Sequence, residues 1–167
     1  MEQSLLKDIG SYKNRIISKF LKSSEIMELL LGEGYTDEDV HGSGDDNYGV
    51  VYNNIFPYLY VEELQTEVKS YLCIEVYVPK VPTYTIKDMK IIIWAYCHKN
   101  CMPYSKKGYL GTRADILADM VESELRDMDN LGIGKLELDS VSYIFPNSSY
   151  YGREMIFSMP DFKVKQR

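Results

Sequence analysis

The chain has 167 residues, 45% hydrophobic and 26% charged, the make-up of one globular domain (1–167) able to bury a core without disulfides. A formal charge of −6 and a pI near 5.0 argue against a specific nucleic-acid role, since neutralising phosphates takes clustered Lys and Arg. Three cysteines do not make a secreted disulfide framework, the start lacks a basic, apolar leader, and the runs 29–31 and 91–97 fall far short of the roughly 20 residues of a membrane helix. A protein of a reducing cytoplasm, without membrane contact, is expected.

In chain order, Leu5, Ile9, Tyr12, Ile16 and Phe20 recur every three or four residues and predict an amphipathic helix over 3–22. Ser23 or Ser24 caps a second helix that runs to Leu31 and stops at Gly32, which completes an N-terminal helical region over 1–31. Residues 32–54 are rich in Gly, Asp, Glu and Asn with almost no apolar period, so a long mobile acidic loop is predicted. The core of sheet and helix spans 55–162. It opens on the aromatic segment 55–61, which Pro57 confines to an edge strand or a surface-hugging arm.

Residues 69–78 alternate, with Leu72, Ile74, Val76 and Val78 on one face and Tyr71, Cys73, Glu75 and Tyr77 on the other. Pro79 and Pro82 predict a break. A second strand is predicted over 89–98, and its run 91–96 is apolar on both faces, as in a central strand covered from both sides. After a polar loop over 99–111, Thr112 with Asp115 makes an approximate capping box for a helix carrying Ala114, Leu117, Val121, Leu125 and Met128 on one face. Leu131-Gly132-Ile133-Gly134 ends that helix. Two last strands, 135–145 and 150–159, flank a hairpin loop at Pro146-Asn147-Ser148-Ser149, and a basic tail over 163–167 follows. The order predicts an α+β fold: a mostly antiparallel sheet of four to five strands with helices packed on one face.

Chemistry-bearing motifs are sparse. Cys97-His98-Lys99-Asn100-Cys101 is the best zinc candidate, yet a structural site takes four ligands and only Cys73 and His41 remain to complete it. The alternative places Cys97 in the core at a strand end, with His98 and Cys101 in the loop. Cys101 with His98 lacks an orienting acid for nucleophilic catalysis. Glu75 and Lys80 are poorly placed for metal-dependent hydrolysis, because Lys80 follows Pro79. Asp37, Glu38, Asp39, Asp45 and Asp46 do not have EF-hand spacing, and Gly42-Ser43-Gly44 is only a fragment of a phosphate loop. No catalytic residue, cofactor or metal is therefore expected, and the chain is read as a non-enzyme. Its 15 tyrosines against 5 phenylalanines suit half-buried and interface surfaces.

Residues 66–162 resemble the tail terminator and neck (head–tail completion) proteins of tailed bacteriophages. The resemblance rests on four segments: the strand from Thr66-Glu67 to Val78; Ile91-Ile92-Ile93-Trp94; the helix opening Gly111-Thr112-Arg113-Ala114-Asp115-Ile116-Leu117-Ala118; and Tyr151-Gly152-Arg153-Glu154-Met155-Ile156-Phe157 with Asp161-Phe162. It implies an α+β structural protein of the virion, made in the host bacterial cytoplasm. Such a protein forms a homo-oligomeric, commonly hexameric ring that ends the tail tube and meets the head–tail connector protein. A connector or stopper role is the neighbouring alternative; a small metal-binding enzyme or a regulatory binding protein are the others. Phe56, Tyr58 and Tyr60, with the acidic Asp45 and Asp46, are the residues expected to order against a partner.

Overall fold

A computed structural model describes residues 5–61, 63, 67–80, 86–126, 128 and 136–162. Helix α1 (Leu5–Leu21) buries Tyr12, Ile16, Ile17 and Phe20 and leaves Lys7, Asn14 and Arg15 in solvent, following the predicted stripe. Ser23 caps α2 (Ser24–Leu31), its hydroxyl accepting the Ile26 N–H at 3.3 Å, and Gly32 ends it at φ 96°.

The stretch 32–54, expected as a structureless loop, contains a third helix, α3 (Asp37–His41). Thr36 and Asp39 form a reciprocal capping box, with the Thr36 N–H donating to Asp39 at 2.8 Å. Val40 and Val50 are buried in the main core, so this segment is pinned by apolar contacts at two points.

Five strands follow: β1 (Ile55–Phe56), β2 (Ser70–Lys80), β3 (Ile86–His98), β4 (Glu137–Asn147) and β5 (Tyr150–Phe162), with α4 (Arg113–Arg126) between β3 and β4. They form one sheet in the order β1-β2-β3-β5-β4, antiparallel except for the parallel β1–β2 pair. Pro79 does not break β2; the strand runs on to Lys80 and absorbs the proline through a register shift after Tyr77. Of the aromatic segment 55–61 only Ile55 and Phe56 pair, because Pro57 removes the next donor. Pro146 and Asn147 belong to β4, which leaves Ser148 and Ser149 as the hairpin turn. The predicted exit at 131–134, Pro82 and the basic tail lie outside the described residues.

Helices α1, α2 and α4 cover the sheet face built from Leu72, Ile74, Ile91, Ile93, Met155 and Phe157. Each such fully buried side chain contributes roughly 1.5–3 kcal/mol. The opposite face carries Tyr71, Cys73, Tyr96 and Tyr150, roofed by Phe56, Leu59 and Tyr60 as the chain folds back after β1. The central β3 is thus covered from both sides, with Ile93 under the helices and Tyr96 under the aromatic roof. Gly152 makes that second layer possible: a Cβ there would strike the Ala95 carbonyl and Tyr96 on the neighbouring strand. The result is an α+β fold.

Candidate functional site

The residues expected to meet a partner divide. Phe56 is 5% exposed and stacks on Tyr60 with ring centroids 4.1 Å apart. The Tyr60 carbonyl accepts the Tyr96 hydroxyl and the Cys73 thiol, which ties this segment to the chain's own sheet. Tyr58 is 43% exposed and only edges against both rings. Asp45 and Asp46 are exposed in a turn closed by a Gly44–Asn47 bridge. The structure therefore brings Phe56, Tyr58 and Tyr60 together while setting the two aspartates on a separate turn.

The candidate zinc motif is split by the pleat. Cys97 points into the helix-side core, where burial pushes its thiol up to about 12. His98 is the last residue of β3, where the predicted strand 89–98 also ends, and it is itself buried. Its ring stands edge-on to Tyr150, and Nδ1 accepts the Asn100 N–H at 3.0 Å. Cys101 directs its thiol to the His98 carbonyl at 3.3 Å, and His41 is exposed at the end of α3. Cys73, on the opposite sheet face from Cys97, is likewise pushed up to about 12 by burial. Glu75 is held by Lys13 at 2.7 Å, and Asp39 is engaged as a cap. Among the described residues no three His, Cys, Asp or Glu side chains gather as a ligand set.

The feature that periodicity did not single out is β4. Leu138, Val141 and Tyr143 pair opposite Phe157, Met155 and Arg153 of β5, and so project on the helix-bearing side of the sheet. Among the described residues no helix covers them. Val141 is 51% exposed, Tyr143 65% and Phe145 66%, in a strand that is the free edge of the sheet. Tyr143 edges against Phe145 at 5.7 Å, and Phe145 contacts Tyr151 at 5.4 Å, so the side chains form one continuous ridge.

Between this ridge and α4 runs an open groove of about 440 Å³, floored by Ala118, Val141 and Met155. Its walls are charged. Asp115 joins Arg153 at 2.8 Å, and Glu122 pairs with Arg126 one turn along α4. Burial works against the Asp115 charge, but the Arg153 guanidinium and the Thr112 N–H and hydroxyl together hold its carboxyl below the usual range. Asp115 thus caps α4 through one oxygen and fixes the groove wall through the other. The arrangement offers an apolar strip with a polar rim, the make-up of a protein-binding surface.

Residues 23–159 match the YomW family, a span that runs from the α2 cap through β4 to most of β5; the chain belongs to that family. No curated protein and no solved structure matches it.

Proposed function

We propose that this YomW-family chain is a structural assembly protein of the neck of a phage or phage-like tail. In this reading it forms a homo-oligomeric ring that terminates the tail tube and joins it to the head connector. The observation that carries the reading is β4, a free sheet edge with large apolar side chains displayed along one face. An edge of this kind left bare invites association, and monomeric proteins usually blunt it. Here Pro146 and the register shift at Asp139 shorten the regular edge, while the apolar side chains remain. The resemblance of residues 66–162 to tail terminators supports the neck as the place where those contacts are made.

The test is location. Phage-like particles purified from the producing strain, with this chain tagged and labelled with gold, should carry label at the head end of the tail tube. The free protein should reach a mass near that of a hexamer. Particles without label, or label along the tube or on the capsid shell, would refute the neck assignment.

A further inference from the structure

We infer that β4 of one copy pairs antiparallel with β4 of a second copy about a two-fold axis through Ser142, joining the two sheets edge to edge. This rests on the reading that the chain assembles with itself. The direction of the main-chain groups carries the inference. Successive residues of a strand turn their N–H and C=O to opposite edges, so a few bonds fix that direction across the whole sheet. The Leu72 N–H donates to Asn54 on the β1 side, and the His98 N–H donates to Lys69, next to β2. Trp94, Tyr96 and His98 therefore turn toward β2, and Ile93, Ala95 and Cys97 toward β5. Carried across the paired residues, Gly152, Glu154 and Ile156 of β5 turn toward β4, where they meet Ile144, Ser142 and Ser140. Val141 and Tyr143 are left with their N–H and C=O groups pointing out of the sheet.

The edge is blunted on either side of these residues but not at them. Register shifts interrupt β4 between Leu138 and Ser140 and between Ile144 and Asn147, with Pro146 in the second gap and Glu137 and Asp139 at the charged start. The stretch 140–144 pairs regularly and holds no charge and no proline, so nothing in it deters strand addition. Ser142 is its midpoint, which makes the stretch self-complementary. A two-fold axis there sets Val141 opposite the partner's Tyr143 and Tyr143 opposite the partner's Val141. Both residues present outward groups, so each pair exchanges both main-chain bonds. On the helix side the exposed Val141 and Tyr143 cover one another as β-branched and aromatic neighbours. On the other face only the exposed Ser140 and Ser142 and the half-buried Ile144 meet. The antiparallel direction keeps the two Asp139 side chains about 20 Å apart, beyond the roughly 8 Å screening length, and each is already paired with Lys90. The opposite edge offers no alternative partner strand, because β1 is two residues long and Pro57 follows it. Each such contact occupies β4 in both copies, so a larger assembly is built from these pairs through another surface.

A cross-link tests the register. The two Ser142 residues form a non-hydrogen-bonded pair with Cα atoms roughly 4.5 Å apart, a separation that a disulfide spans. The full-length chain is used in a Cys101→Ser background, since Cys73 and Cys97 are buried. With Ser142→Cys added and copper phenanthroline as oxidant, it should run as a covalent dimer on non-reducing gels, whereas the Cys101→Ser parent should not. Ser140→Cys should stay unlinked, its two copies lying about 14 Å apart. Val141→Pro tests the main chain: it removes an outward donor, keeps an apolar side chain and leaves the bonds to β5 in place. Its dimer should dissociate at least tenfold more readily in analytical ultracentrifugation, with an unchanged circular dichroism spectrum. Should the proline variant not fold, Ser142→Cys alone decides. A wild type that assembles while Ser142→Cys stays unlinked overturns the two-fold pairing and leaves self-assembly standing. Linkage of Ser140→Cys as fast as that of Ser142→Cys, a folded Val141→Pro dimer as tight as wild type, or a wild type monomeric throughout would each overturn it too. None of these results moves the gold label, so failure here is distinct from failure of the neck assignment.

Discussion

Two aromatic groups in this chain look alike in sequence and end differently. Phe56 and Tyr60 lie four residues apart, Tyr143 and Phe145 two apart, and both pairs touch ring to ring. Phe56 is 5% exposed and Phe145 is 66% exposed. The first pair closes over Tyr71 and Tyr96 on the face that no described helix covers, so it is the chain's own roof. The second projects from the last strand in the sheet order, past the reach of α4. Aromatic content alone does not mark an interface; the supply of covering elements decides which rings are left uncovered.

The largest expected effect breaks or upholds that contrast directly. Phe56→Ala should destabilise the protein by about 3–5 kcal/mol, read as a lowered denaturant midpoint, because it removes a ring stacked within a closed layer. If the variant instead kept its midpoint and lost only assembly, Phe56 would belong with Phe145 as an interface residue and the contrast would collapse.

Much of the fold was legible because its signals are local. The α1 stripe, the Ser23 and Gly32 boundaries of α2 and the alternation of Leu72, Ile74 and Val76 all act within a few residues. The Thr112–Asp115 capping box was legible too, though not its second use: Asp115 reaches Arg153, 38 positions away, and only the sheet register brings the two together. Thr36 and Asp39 repeat the same Thr-x-x-Asp spacing, but an acidic, glycine-rich setting masked α3. The exposure of β4 had no local signal. Val141-Ser142-Tyr143 alternates like any half-buried strand, and its place at the edge follows from β5 inserting beside β3.

The groove wall sharpens the comparison at an intermediate magnitude. Asp115 is depressed in the folded protein, so it contributes stability that is fully present above the ordinary carboxylate range near pH 4 and is lost as pH falls through its lowered value. Asp115→Asn should cost about 1 kcal/mol at neutral pH, chiefly by weakening the α4 cap and the Arg153 contact. It should also flatten the acid limb of the stability profile, measured by urea titration between pH 2 and 7. An unchanged limb would mean that the Arg153 pair and the cap are not held in solution.

The smallest expected effect is the one the contrast needs most. Phe145→Ala on the free protein should shift stability by no more than about 0.5 kcal/mol, since its ring lies mostly in solvent and meets other rings only at Tyr143 and Tyr151 among the described residues. A large aromatic that can be deleted without loss of fold is stabilising nothing within its own chain. In the proposed assembly, the same deletion should show the deficit that is missing from the monomer, as faster dissociation on dilution. A loss as large as that of Phe56→Ala in the isolated chain would show β4 to be part of the core after all.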